Sequence, residues 1–304
     1  MTQLLNAIPG ALAQGLIWGV MAIGVYITYK VLDIADLTVD GSICTGAAVC
    51  TMLLLGGQSP WLALLCAVLA GVLAGAVTGL LHVGLGIPPI LAGILTQMVL
   101  WSVNLKLLGK ANQALPARTT PVLLSQMDVG GALPVLLGFC VVLVALLVLF
   151  FGTELGCALR ATGCNPVMSR AQGVNTGLMK VVGLALSNGV VALSGALLCQ
   201  YQGYTDVNMG RGAVVIGLAA VVIGQAVLGR HGGHMAAQLG GVVLGAVIYY
   251  IVYQVIIFAG FDTDLLKMFS AVVVAVFLGV PHVRDQIRTN SRIKKGGSRH
   301  AENA

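Results

Sequence analysis

The chain has 304 residues, of which 58% are hydrophobic and only 9% are charged, and its formal net charge is +6. Soluble domains carry about 25% charged residues, so this much apolar surface excludes a water-soluble globular protein. The seven cysteines form no CxxC pair and most lie in apolar runs. They are typical of small buried residues, and they predict no disulfide framework.

Nine apolar segments approach the length of about 20 residues that a membrane-spanning helix needs. They are 11–30, 42–57, 61–83, 88–108, 133–152, 181–200, 212–229, 237–260 and 265–281. The second and seventh are short and glycine-rich, which is typical of broken or re-entrant helices. The sequence therefore predicts an all-α, polytopic transmembrane helical bundle with about eight to ten membrane segments.

The two ends of the chain differ in charge. Residues 1–15 contain no Lys or Arg, so we expect no cleaved signal peptide. Six basic residues fall in the last 21: Arg284, Arg288, Arg292, Lys294, Lys295 and Arg299. A basic tail can bind nucleic acid, but beside so many membrane segments it favours a cytoplasmic terminus. We predict a transmembrane domain over 1–282, a disordered cytoplasmic tail over 283–304, and no nucleic-acid partner.

Charge also predicts the orientation of the segments. If the C-terminus is cytoplasmic and nine segments alternate, eleven basic residues lie inside and five lie outside. This count favours an external N-terminus. It also places the polar stretch between the fifth and sixth segments, about 153–180, in the cytoplasm, whereas the loop 109–132 fits this orientation least well.

The connection 32–42 carries three aspartates at spacings of three and four. On one helix face they would suit a cation. The intervening residues favour an extended turn instead, in which Asp40 or Ser42 is the N-cap of the following helix. We favour the turn and the cap.

Gly71, Gly75 and Gly79 recur every four residues within the third segment. Small residues at this spacing form one helix face on which a second backbone approaches closely. We expect these glycines to be helix-packing residues.

Motifs for hydrolytic chemistry are absent from the sequence. There is no GxxxxGK[ST], no nucleophile elbow and no HExxH. His231 and His234 are separated by two glycines, and no Cys, Asp or Glu lies near enough in sequence to complete a metal site. The sequence predicts no enzyme activity, no cofactor and no metal.

The interiors of the apolar segments hold neutral polar side chains. Carriers driven by protons or sodium need ionisable groups inside their spans. Here the acidic residues lie at segment edges, and the interior polar groups include Gln97, Asn104, Asn188 and Gln225. This pattern argues against ion coupling and favours a partner that supplies energy from outside the membrane.

The polar stretch after the fifth segment predicts a helix, a turn and a second short helix. The fifth helix is expected to extend past the membrane through Arg160 and to stop at Gly163, before the Asn165–Pro166 pair. Pro166 suits the first turn of a short helix reaching Gln172. Gly173 ends that helix, and Asn175 or Thr176 caps the next.

This short helix is expected to present Met168, Arg170 and Gln172 to the cytoplasm. Two interpretations stay open on these residues. The helix is either a docking element for a partner or a plain amphipathic helix at the membrane surface.

Four stretches resemble the permease subunits of bacterial ABC importers in the branched-chain amino acid and ribose branch. They are Asp36–Ala47, Gly86–Leu108, Leu159–Ala161 followed by Gly173–Thr176, and Ala213–Gly229. Within that family the runs DLTVDGS, LAGILT and GYTDVNMGRG are similar to permeases described as uncharacterised or as serving tryptophan and tyrosine uptake.

The resemblance implies a type II-like importer permease in the bacterial inner membrane. Its partners would be membrane lipid, a second copy of the chain, two ATP-binding subunits and an extracytoplasmic binding protein. The solute would be an amino acid, aromatic amino acids included, or a similar small solute. A sugar or nucleoside importer is the first alternative, and an ion-coupled carrier is the second.

The resemblance also implies roles for particular residues. The helix at Cys164–Gly173 would be the coupling helix that transmits the ATPase motion, and solute contacts would come from neutral groups of the segments. The coupling residues implied are Arg160, Gly163, Asn165, Met168, Arg170, Gln172 and Gly173. The candidates for the solute path are Gln97, Asn104, Asn188 and Gln225.

Overall fold

The computed structural model describes residues 2–116, 120–228 and 234–258, with the isolated positions 268, 272 and 275, and it describes side chains from residue 8 onward. The helices are α1 (Thr2–Tyr26), α2 (Val39–Leu55), α3 (Pro60–Gly84), α4 (Pro89–Leu108), α5 (Val129–Gly152), α6 (Glu154–Cys164), α7 (Pro166–Ala171), α8 (Thr176–Gln202), α9 (Ala213–Leu228) and α10 (Met235–Phe258). Two short strands, β1 (Asn112–Ala114) and β2 (Tyr204–Asp206), pair antiparallel.

The predicted all-α polytopic bundle is confirmed. Six helices in the described ranges are long and apolar enough to cross a membrane, and α2 and α9 are shorter apolar helices. Eight of the nine predicted segments correspond to these helices. The ninth, 265–281, falls almost entirely outside the described residues, and so do the boundary at 282, the tail 283–304 and His231.

Helix α8 lies at the centre of the bundle and packs on α1, α2 and α3. Small residues make this packing possible, because helices in a membrane associate through close backbone contact. An added Cβ at Gly46 of α2 would collide with the backbone of Ala192 in α8. An added Cβ at Gly195 of α8 would collide with the carbonyl oxygen of Ile43 in return. The two backbones therefore touch at positions that only glycine can occupy.

The glycine face of α3 also lies against α8. A Cβ added at Gly71 would meet the carbonyl oxygen of Asn188, and one added at Gly79 would lie 2.8 Å from Cα of Val181. Gly75, between them, faces the carbonyl oxygen of Leu184. The face covers two turns of α3 and sets how deeply that helix packs into the core.

Helices α2 and α9 both begin inside the bundle. After α1 the chain makes a π-helical turn, Ile27–Val31, and then runs without regular structure to Thr38, the N-cap of α2. The carboxylate of Asp40, in the first turn of α2, accepts hydrogen bonds from the backbone N–H groups of Gly212 and Val214, both at 3.0 Å. Asp40 therefore satisfies the start of α9.

The prediction that Asp40 or Ser42 caps α2 is wrong. Thr38 occupies the N-cap position without a side-chain bond, and Ser42 lies one turn inside the helix, where its hydroxyl donates to Asn188. The acceptors and donors that these side chains use come from segments about 150 to 170 residues away. Local sequence therefore could not identify them.

Helix α5 stops at Gly152, so the expectation that it continues through Arg160 is wrong. Thr153 is extended, with φ −78° and ψ 166°, and its hydroxyl oxygen accepts from the N–H of Gly156. A separate helix, α6, starts at Glu154. Gly163 lies within α6 and is not its C-terminal cap, since Asn165 occupies that position.

Candidate functional site

The segment 153–175, called here the insert, has a fixed turn geometry. The side chain of Asn165 accepts hydrogen bonds from the N–H groups of Val167 and Met168 at 3.1 and 3.0 Å, which caps α7. Gly173 has φ +84° and lets the chain reverse after α7. Asn175 then caps α8 through the N–H of Leu178. The helix–turn–helix pattern expected from the sequence is present, with α7 ending at Ala171.

Two arginines of the insert hold its helices together. A terminal nitrogen of Arg160 donates to the carbonyl oxygen of Phe151 at 3.1 Å, which satisfies the end of α5. Arg170 donates through Nε and a terminal nitrogen to the hydroxyl oxygen of Thr176, at 3.3 and 3.0 Å. Both side chains remain exposed, so each braces the insert while keeping its charge at the surface.

The apolar side chains of α7 face outward. Val167 is 79% exposed and Met168 is 62% exposed, and Gln172 beside them is exposed as well. A shallow cavity lies next to Met168, lined also by Ala161, Cys164, Asn165, Ser169, Gln172 and Val174. The exposed apolar side chains next to a groove make this face of α7 a candidate interaction surface.

Gly163 joins the insert to the core. A Cβ at this position would collide with the carbonyl oxygen of Val31 and would lie 3.0 Å from Cα of Leu32. Helix α6 therefore rests directly on the π-helical turn and on the chain that leads to Asp36. This contact therefore connects the insert to the interior of the bundle, and a displacement of the insert would change it.

We expect Gly163→Val to displace α6 from the π-helical turn, because the added atoms would occupy the position of a backbone oxygen that cannot move aside. The thermal midpoint of the purified protein should fall by several degrees, and trypsin should cleave the insert faster than in the wild type. Gly152→Val is the matched control, since a Cβ there meets nothing within 4 Å. Equal midpoints and cleavage rates for both variants would contradict this contact.

A buried polar network lies beyond this contact. Asp36 is 5% exposed; one of its carboxyl oxygens accepts from the N–H of Thr38 at 2.8 Å and the other from the amide of Asn188 at 2.7 Å. Asn188 also donates to the carbonyl oxygen of Leu184 and accepts from the hydroxyl of Ser42. The network ties the start of α2 to the middle of α8, and it occupies the whole amide of Asn188.

A cavity of about 670 Å³ lies between α2, α4 and the segment that precedes α9. Its lining residues are Asp40, Gly41, Cys44, Gln97, Met98, Val99, Trp101, Ser102, Asn104, Val207 and Arg211. Two of the four predicted solute-path residues, Gln97 and Asn104, are among them. Asn188 belongs to the buried network instead, and Gln225 is exposed on α9; neither lines the cavity.

Asn104 and Arg211 both line this cavity, and their side chains have hydrogen-bonding groups without a partner within the described residues. Asn104 is 1% exposed, and neither its amide oxygen nor its amide nitrogen has a partner among the described residues. Buried side-chain amides are normally hydrogen-bonded. Sequence reasoning identified Asn104 but missed Asp40 and Arg211 as cavity residues. The available signal was the pair of short apolar segments, whose ends these two residues occupy.

Within the described residues, no group of three His, Cys, Asp or Glu side chains is placed to hold a metal ion. The features that stand out are a braced, exposed insert and a polar cavity at the ends of two short helices. Together with at least six spanning helices they define the membrane subunit of a transporter.

The chain belongs to the family described as "Branched-chain amino acid transport system / permease component", which matches residues 7–281. It is 36% identical to the tyrosine transport system permease protein of Clostridioides difficile, over 95% of this chain and 96% of that protein. It is 33% identical to an uncharacterised protein of Rickettsia prowazekii, over 90% and 97%.

A third relative is the autoinducer 2 import system permease protein of Escherichia coli. It is 30% identical to this chain, over 67% of this chain and 60% of that protein. No solved structure matches the chain at a significant level.

The family and the fold together establish the class of protein. The chain is the permease subunit of an ATP-binding-cassette importer, a multi-pass protein of the bacterial inner membrane, and it is not itself an enzyme. Permease subunits of such importers work with ATP-binding and other partner subunits. The predicted class is therefore confirmed.

Proposed function

We propose that two copies of this chain form the membrane core of an importer for an aromatic amino acid such as tyrosine. Two ATP-binding subunits would bind the insert, and an extracytoplasmic binding protein would deliver the solute at the opposite surface. The observation that carries the proposal is the exposed Val167–Met168 pair on a short helix that is capped and braced on both sides. The similarity to the tyrosine permease suggests the solute.

The proposed orientation follows from the positions of the insert and the strands. The insert leads into the first residue of α8, and β2 follows the last residue of α8. The insert and the β1–β2 pair therefore lie at opposite ends of a helix that spans the bundle. Arg160, Arg170 and Lys180 lie at the insert end, which favours the cytoplasmic side for the insert. The N-terminus would then be external, as the charge count predicts. The two strands would be external as well.

The acidic groups inside the bundle support an ATP-driven importer over an ion-coupled carrier. The carboxyl of Asp36 is bound by the N–H of Thr38 and the amide of Asn188, and that of Asp40 holds the start of α9. Both carboxylates therefore make hydrogen bonds that hold the fold together, and binding and release of a proton or a sodium ion would have to break these hydrogen bonds. An external energy source acting at the insert requires no such break.

The test is uptake by proteoliposomes that contain this chain, the ATP-binding subunits and the binding protein. We expect ATP-dependent import of L-[³H]tyrosine and co-purification of permease and ATP-binding subunits in equal numbers. D-[³H]ribose is the matched alternative solute, because a sugar importer is the first alternative to an amino-acid importer. Tyrosine uptake that needs an ion gradient and no ATP-binding subunit would contradict the proposal.

A further inference from the structure

We propose that the cavity between α2, α4 and the segment that precedes α9 is a binding site for the zwitterionic end of an α-amino acid. Arg211 would bind the carboxylate, Asp40 would accept from the ammonium group, and Asn104 would donate to and accept from the solute. This assignment rests on the proposed function and specifies where and how the solute is recognised inside the membrane.

Asn104 is the first observation that points to a ligand. Asn104 lines the cavity and is 1% exposed, and its amide has no hydrogen-bond partner among the described residues. An unsatisfied buried amide destabilises the folded protein. A molecule in the cavity that supplies a hydrogen-bond donor and an acceptor to the amide would remove this cost, and an amino acid carries both groups.

Arg211 is the second observation. Its side chain is exposed to the cavity and makes no hydrogen bond or ion pair within the described ranges. Guanidinium groups bind carboxylates with two parallel hydrogen bonds. The backbone around Arg211 is fixed, because the next residue, Gly212, has φ +86° and donates its N–H to Asp40. The backbone that carries Arg211 is therefore anchored to Asp40, and both residues line the same cavity.

Asp40 can take a further ligand. Its carboxylate accepts backbone N–H groups of the segment Gly212–Val214, and the two oxygens of a carboxylate together offer about four acceptor sites, so capacity for a further donor remains. One acidic and one basic side chain in the same cavity match a zwitterion of zero net charge. A neutral sugar offers no charged group to either side chain.

The remaining geometry agrees with a small solute that has an apolar side chain. The volume of about 670 Å³ lies within the usual range for small-molecule sites. Met98, Val99 and Trp101 supply apolar lining, and Trp101 is 44% exposed. The first turn of α2 lines the cavity and Arg211 lies two residues before α9, so the positive N-terminal ends of two short helices are near the cavity and favour the carboxylate of a solute.

The experiment uses the full importer in proteoliposomes, with L-[³H]tyrosine delivered by saturating binding protein. Arg211→Gln should lower the initial import rate about tenfold or more, because a charged hydrogen-bonding pair is lost. Arg211→Lys should recover part of the rate, because lysine keeps the positive charge but lacks the planar guanidinium group that forms two parallel hydrogen bonds. Lys110→Gln is the control, because it removes a positive charge from an exposed residue that does not line the cavity.

Asn104→Leu separates recognition from folding. Because the amide has no partner in the described part of the chain, an apolar side chain of similar size should keep or raise the thermal midpoint. Tyrosine import should nevertheless fall about fivefold or more. ATP hydrolysis should persist in both variants, since no residue of the insert lines the cavity.

The possible outcomes distinguish the two proposals. If the wild type imports tyrosine and both Arg211→Gln and Asn104→Leu import it within about twofold of that rate, the cavity assignment is overturned and the proposed function stands. If the wild-type complex imports ribose and not tyrosine, the proposed solute is wrong, and the zwitterion site is overturned with it.

Discussion

Gly75→Leu is expected to prevent this permease from reaching its folded state. An added Cβ at Gly75 would collide with the carbonyl oxygen of Leu184 and would lie 2.9 Å from Cα of Ala185. A leucine side chain cannot fit there unless α3 moves away from α8. Since α3 also packs on α2 and α4, that movement would open those contacts as well. We expect the yield of monodisperse protein to fall to about a tenth of the wild-type yield or less.

The control for this experiment is Gly138→Leu. Gly138 is also a helix-interior glycine, in α5, but a Cβ there meets no atom within 4 Å. This variant should insert and purify as the wild type does, measured by size-exclusion chromatography and thermal midpoint. Comparable yield and midpoint for Gly75→Leu would remove the argument that backbone contact between α3 and α8 holds the core.

The parts of the fold that sequence predicted are those that depend on local pattern. The apolar runs gave the helices because a span must be both long and apolar. The ends of α7 and the start of α8 depend on Asn165, Gly173 and Asn175, and each of these acts on the backbone within three residues. The break at Thr153 also had a local signal, since a threonine followed by Glu154 is a typical helix start.

The rest depends on neighbours that are distant in sequence. Asp40 satisfies the start of a helix 172 residues further on, and no local pattern specifies that partner. Gly163 was predicted as a cap because glycine is common after helix ends, whereas its role is contact with Val31. These assignments require the packing of α6 and α9 on the core.

The same distinction applies to the solute path. The sequence could not rank the four predicted solute-path residues, because each is a neutral side chain within an apolar segment. The structure separates them by what their amides bind: Asn188 is fully hydrogen-bonded in the core, whereas Asn104 has no partner within the described residues. A buried amide with all its hydrogen bonds made within the protein stabilises the fold. A buried amide without partners can gain hydrogen bonds when a ligand binds.

The double substitution Val167→Asp with Met168→Asp is expected to abolish ATP-driven import. These side chains are 79% and 62% exposed, so charged replacements are tolerated by the fold and the permease should insert normally. If an ATP-binding subunit covers α7, burying two carboxylates in that interface is strongly unfavourable. We expect import to fall about a hundredfold and co-purification of the ATP-binding subunit to be lost.

The matched control keeps the surface apolar. Val167→Leu with Met168→Leu changes the same two positions without adding charge, and it should retain most of the import rate. Import and co-purification that are equal in the aspartate and leucine variants would show that α7 is an interfacial helix with no partner. Loss in the aspartate variant alone assigns the exposed pair to the ATPase contact, because the caps at Asn165 and Asn175 are present in both proteins. A force applied at α7 would then pass through α6 to the contact between Gly163 and Val31.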